Sequence, residues 1–272
     1  LLMRLDQIES NDIPLIVDEA IPLQLTNELT PEVQAIIDDF GSWQIGRIGS
    51  SAGIQLSFNM IDPKVIGYLT DFGAVRVAGI NNTTRKAIAH ALAEGVLGGE
   101  GINELSRRIR GVFEEASVIR ARTIARTEVN SAANFARFDG QRQSGIIHER
   151  EWLATMDPRV RDIHRRLHGK KAKMGEPFEI SGLRAMYPGN FGIAKQDINC
   201  RCTTIPITRK RRRDEGELLE SIDGDRSTQP AFDLRVLRWE EKMIRACQRA
   251  FRRQEVLVLA QLVNRDRPPI KV

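Results

Sequence analysis

Asn199-Cys200-Arg201-Cys202, read with the upstream run Asp157-Pro158-Arg159-Val160-Arg161-Asp162-Ile163-His164 and its close Leu167-His168-Gly169, decides what the middle of this chain becomes. The two stretches hold two of the three cysteines and two of the four histidines. Asp157 is placed to cap a helix, Pro158 to take its first position and Gly169 to stop it, so the run predicts a helix over 158–168. Residues 151–155 predict a strand before it, and 198–207 alternate as a closing strand. His164 and His168 then share a helix face, and Cys200 and Cys202 share a strand face. If helix and strand pack together, two imidazoles and two thiolates converge with the softness and number that tetrahedral zinc prefers, and Asp197 or Asp162 could replace one histidine. The plainer reading leaves the cysteines as core residues and turns His168 towards the last helical carbonyls. Asn199 and Arg201 then hold the loop through hydrogen bonds, with Asp157 and Arg161 as partners.

Outward from this module, residues 170–197 read as a loop punctuated by Pro177, Gly182, Pro188, Gly189 and Gly192. Upstream, Ile102, Leu105, Ile109, Val112, Ala116 and Ile119 step by three or four, and the pattern runs through Ile124, Val129 and Phe135 towards Gly140 or Gly145. On this rod Arg120, Arg122 and Arg126 read as surface partners of Glu114, Glu115 and Glu128. A helix over 83–97 precedes it, ended by Gly98-Gly99. Thr30-Pro31 predicts a short helix stopped by Gly41. The alternation over 54–60 predicts a half-buried strand, residues 63–72 a helix, and 74–80 a second short strand. Residues 1–29 suit an extended arm. Beyond the module, 215–230 read as a polar linker and 232–264 as one long helix, with Arg245, Arg249, Arg252 and Arg253 flanking its apolar stripe. The expected fold is α+β and mostly helical. Its parts are an arm and mixed element over 1–80, a helical connector over 81–147, an α+β module over 148–207, and a basic linker with a helical tail over 208–272.

The chain has 272 residues, enough for a sizeable core in one or two domains, and 28% of them are charged. No apolar run reaches the ~20 residues a bilayer helix needs, and the start lacks a signal-peptide pattern. Position 1 is Leu rather than Met, consistent with a chain that starts inside a longer one. Three cysteines are too few for a disulfide framework, and two residues of extended chain hold Cys200 and Cys202 about 6.5–7 Å apart, at the disulfide limit. Synthesis in a reducing cytoplasm fits. The formal charge of +5 is uneven, with Arg209-Lys210-Arg211-Arg212-Arg213 as one block. That block reads either as a solvated linker or as a phosphate contact.

Taken in order, Ile124-Ala125-Arg126-Thr127-Glu128, Trp152, the run from Asp157 to His164, Gly169, Phe178, Tyr187-Pro188-Gly189 and Asn199-Cys200-Arg201-Cys202 resemble the phage Mu protein F-like minor head proteins, over about residues 80–206. Many members of that family carry cysteine or histidine ahead of the closing strand, where this chain has Asp197. The resemblance implies a structural, non-enzymatic component of a tailed phage or phage-like particle, present in several copies inside the capsid near the portal. Its implied partners are portal protein, major capsid protein and packaged DNA bound without sequence preference, with no membrane in the mature particle. It implies roles in head assembly, DNA retention or ejection, with Arg126, Glu128, Trp152, Asp157, Arg161, Asn199 and Arg201 as structural motif residues.

A competing class is a metal-dependent nuclease or nucleic-acid-modifying enzyme. In it His164 would be a base, Arg161 and Arg201 would bind phosphate, and Asp162 or Asp197 would hold a metal. No phosphate loop, paired carboxylates or nucleophile motif supports it. A third class is a DNA-binding regulator, using the helix pair about Gly98-Gly99.

Overall fold

The computed structural model describes residues 24–72, 76–211, 217–221 and 234–265. Its elements are α1 (Gln24–Ala52), α2 (Pro63–Asp71), α3 (Val77–Leu97), α4 (Ile102–Glu115), a π turn (Ala116–Arg120), α5 (Ala121–Ser144), β1 (Ile147–Leu153), α6 (Asp162–Leu167), β2 (Lys171–Lys173), β3 (Phe178–Ile180), β4 (Leu183–Ala185), α7 (Ala194–Asp197), β5 (Thr203–Arg211), β6 (Glu217–Ser221) and α8 (Leu234–Arg265). The fold is α+β and mostly helical, with a small antiparallel sheet module and a long C-terminal helix, as expected. Most of the expected arm lies outside the described residues. No described helix is long and apolar enough to cross a membrane.

The chain forms two compact units. The first comprises residues 1–32, 68–122 and 243–272. Where a second strand is expected, residues 77–80 instead begin α3. The α3–α4 turn uses Gly99 at φ +67°, and a Cβ on Gly95 would meet Leu105 Cδ2 at 2.4 Å, so that glycine permits close packing. Arg120, at the end of the π turn, departs from the surface-pair expectation. It donates to Thr84 Oγ1 (2.9 Å) and Ile80 O (3.1 Å) and lies over the Phe251 ring. Gln248 Nε2 donates to Ser117 O, and Gln254 Nε2 to Asn81 Oδ1. α3 and α8 thus meet through a buried polar contact between Asn81 and Gln254. On α8, Arg249 and Arg253 pair with Glu28 at 2.8 Å each.

The second unit comprises residues 33–67 and 123–242. Gly41 does not stop α1, which begins a turn and more before Thr30-Pro31 and continues to Ala52. A Cβ at Gly41 would lie 2.4 Å from Phe58 Cε1, and one at Gly140 would lie 3.1 Å from Gly41 O, so both glycines sit at close approaches. Residues 54–60 form no strand. Leu56, Phe58 and Met60 are partly covered and Gln55, Ser57 and Asn59 exposed, which preserves the alternation. Among the described residues the segment has no neighbouring strand to pair with. Gln143 instead satisfies both backbone groups of Asn59, accepting its N–H (2.7 Å) and donating to its carbonyl (3.1 Å).

The sheet order is β2-β1-β5-β6, every neighbour antiparallel, and β3 and β4 form a separate hairpin. The 170–197 loop thus contains three short strands and one helical turn. Trp152, Leu167, Phe178, Ile180, Phe191, Cys200 and Cys202 share one buried cluster. β5 runs on through Arg209, Lys210 and Arg211, which face Leu219, Leu218 and Glu217 of β6 in place of the expected linker. Arg212 and Arg213 lie outside the described residues.

Candidate metal centre

Three side chains, one from a short helix and two from a single loop, meet under Trp152. Asp157-Pro158 forms a turn rather than a helix start: Arg159 N–H donates to Asp157 Oδ1 (3.0 Å) and Val160 N–H to Asp157 O (3.1 Å). The helix begins only at Asp162, with Arg161 at its N-cap, and ends at Leu167. Its His164 is buried, 2% exposed, with its ring perpendicular to Trp152 and tilted against Phe191. His168 has left the helix. It is exposed, and its Nδ1 accepts the Ala154 N–H at 3.1 Å, away from the group. The two histidines therefore do not converge.

Cys200 and Cys202 precede β5 instead of lying on it. Asn199, at φ +57°, turns the chain just before them, in a conformation that asparagine tolerates better than most residues. Its N–H donates to Thr127 Oγ1 (3.0 Å), and Cys200 N–H donates to Asp197 O (3.1 Å). His164 Nδ1 then lies 3.2 Å from Cys202 Sγ and 3.7 Å from Cys200 Sγ, and the three donor atoms fall within 4.8 Å of one another. Zinc bond lengths of about 2.3 Å to sulfur and 2.0–2.1 Å to nitrogen, at the tetrahedral angle, put nitrogen and sulfur about 3.5 Å apart. The observed distances bracket that value, so the group could hold a metal ion. Asp197 and Asp162 do not join it. The Asp197 carboxylate accepts the Phe191 and Ile193 N–H groups (3.0 and 3.1 Å), and Asp162 is exposed at the start of α6.

The neighbouring Cys202, and then burial, pushes the Cys200 thiol well up, whereas the neighbouring Cys200 lowers Cys202. Cys202 is therefore the more acidic thiol of the pair. On one side the group opens into a cleft of about 20 Å³ lined by Thr155, Arg159, Val160, Arg161, Asn199 and Arg201 together with the trio. Arg201 grips both oxygens of Asp157, at 2.7 Å from Oδ1 and in a close contact to Oδ2. This hydrogen-bonded pairing holds the Asp157 carboxyl well below the usual carboxylate range.

Arg161 donates to the carbonyls of Gln196 and Ile198, fixing the approach to Asn199. Motif residues thus act as loop staples, as the plainer reading expected for Asp157, Arg161 and Arg201, although Arg161 bonds carbonyls rather than Asn199. Glu128 is buried, and the half-exposed Arg126 faces Glu240 at 3.9 Å.

Several supports escape a motif search. Asn134 Nδ2 donates to Cys202 O (2.9 Å), Thr203 Oγ1 donates to Asn134 Oδ1 (2.9 Å), and Thr155 Oγ1 donates to Arg201 O (2.9 Å). Arg137 donates to Thr203 Oγ1 and stacks over Phe40 and Trp43. Arg150, fully buried on β1, donates to the carbonyls of Met186, Lys173 and Glu176 and lies over Phe138 and Phe178, and burial brings its pKa down to about 10. The available signal is the density of small residues in α5, with Ala132, Ala133, Ala136 and Gly140 on a stretch buried all round.

Residues 86–205 match the family described as Phage Mu protein F like protein. Over 123 residues the chain is 36% identical to "NAD(+)--arginine ADP-ribosyltransferase EFV" of Enterococcus faecalis, covering 44% of this chain and 25% of that protein. Over 151 residues it is 34% identical to "Minor head protein GP7" of Bacillus phage SPP1, covering 52% of this chain and 47% of that protein. A further relative, "Uncharacterized protein YqbB" of Bacillus subtilis, is 22% identical over 160 residues, 56% of this chain and 52% of that one. The chain thus spans between a quarter and about half the length of these relatives. No solved structure matches.

Proposed function

With residues 86–205 belonging to the Phage Mu protein F-like family, we propose that this chain is a structural minor head protein of a tailed phage or phage-like particle. It sits inside the capsid near the portal, in several copies, contacts portal and major capsid proteins and packaged DNA, and acts in head assembly, DNA retention or ejection. A zinc ion held by His164, Cys200 and Cys202 fastens the loop of the module to its short helix. The observation that carries this reading is the 34% identity, over more than half of the chain, to a protein named as a minor head protein.

The geometry of the module supports a non-enzymatic role. Its polar side chains are spent on holding the loop: Arg161 on two carbonyls, Asn134 on the Cys202 carbonyl, and Arg201 on the Asp157 carboxylate. A nuclease needs a free carboxylate or base beside its metal; among the described residues no carboxylate lines the cleft, and Asp157 is engaged by Arg201 through both oxygens. The transferase name belongs to a protein of which this chain matches 25%, and that activity is not carried over.

Particles purified from a producing lysate and analysed by mass spectrometry should contain this chain together with portal and capsid proteins. Particles made without it should be defective in assembly or infectivity. Normal, fully infectious particles lacking the chain would end this reading.

A further inference from the structure

Among the described residues, the His164, Cys200 and Cys202 group has three donors and no fourth. Closed structural zinc sites use four protein ligands, while three-ligand sites leave a position to solvent or an incoming group. The free side of this group is the cleft of about 20 Å³, the space of roughly one water molecule. Asn199 Oδ1 is buried there without a hydrogen-bond partner, an acceptor available to a metal-bound water. Three guanidiniums, Arg159, Arg161 and Arg201, line the cleft, and Asp157 answers only one of them fully. Arg161 spends its hydrogen bonds on neutral carbonyls, and the Arg159 side chain is 74% exposed.

We propose that the fourth position of this centre is exchangeable and that the cleft admits a small oxygen anion, a carboxylate or a phosphate oxygen, onto it. The proposal rests on the zinc reading above. Two thiolates and a neutral imidazole cancel the charge of a divalent ion, so an arriving anion meets a rim whose net charge is positive. The small volume admits the tip of a ligand whose remainder lies outside. The module would then have a docking point for an acidic side chain, a chain terminus or a phosphate group, besides a clasp.

The test uses the full chain, stripped of metal and reloaded with cobalt(II), whose visible bands report the ligands around it. Titration with acetate and, separately, inorganic phosphate should shift those bands and saturate. A response to acetate alone assigns the cleft to carboxylates, and one to phosphate alone assigns it to phosphates. Arg159→Glu, at an exposed position, should weaken the responding anion about fivefold while leaving cobalt uptake intact. Cobalt bands that neither anion moves, or an anion response unchanged in Arg159→Glu, would overturn the proposal and leave the zinc reading standing. Failure to take up cobalt at all would remove the zinc reading and this inference together.

Discussion

His164 directs Nδ1 at both sulfurs, while His168, four positions on, uses its own Nδ1 to accept a β1-end amide. Their spacing is right for one helical face, but the helix has ended before the second residue arrives. Purified protein should therefore carry about one zinc per chain by elemental analysis. His164→Ala and Cys202→Ser should lose it, and His168→Ala should retain it. Equal loss in all three would mean that His168 takes part. Asp157 supplies a second residue-scale expectation. Its folded pKa is lowered, so its contribution to stability is fully present above the ordinary aspartate value, about pH 3.9, and disappears as pH falls through the lower folded value. In metal-free protein, urea midpoints of the wild type should drop steeply below about pH 4, whereas Asp157→Asn should start lower at neutral pH and lose less in acid.

At the scale of elements, Gly41 packs where helix propensity would favour almost any other residue. Gly41→Ala should gain up to about 1 kcal/mol of propensity and lose about 1–3 kcal/mol to displacement of Phe58. Net destabilisation by about 1 kcal/mol in urea unfolding is expected; a stabilised variant would show that Phe58 moves freely. The same glycine explains what the sequence concealed. A glycine after a periodic run usually reads as a helix stop, yet the partner that makes it necessary, Phe58, lies in a separate segment. Likewise Asp157-Pro158 has the local form of a helix start, but its carboxylate is claimed by Arg201, 44 residues later. The convergence of His164 with the two cysteines was legible from residue type and their concentration in one module, although the helix-face and strand-face spacings do not carry it, since His168 lies past the helix and both cysteines precede β5. The roles of Asn134, Arg137 and Arg150 were not, because each depends on carbonyls or hydroxyls that only the folded chain brings near. Alternation over 54–60 marked the covered side at Leu56, Phe58 and Met60 but not at the exposed Ile54, and it said nothing of a neighbouring strand.

For the whole molecule, the block from Arg209 to Arg213 raises the expectation of DNA contact in a filled head. The purified chain should bind unrelated duplexes equally, with log affinity falling against log salt by about 0.9 per phosphate neutralised. Replacing the five residues with serines should flatten that slope, and salt-independent affinity would point to a protein strap instead. Sheet order has a consequence for how the protein is made. β1 leaves the ribosome well before β5, yet it lies between β2 and β5, and Leu153 pairs with Thr203. Until synthesis passes that point, one side of β1 offers unmatched amides and carbonyls to any passing strand. His164 is also translated before either sulfur donor, so the trio is complete only once Cys202 has emerged. A nascent chain stalled before Asn199 should therefore be both metal-free and prone to aggregate, whereas one released shortly after β5 should be neither.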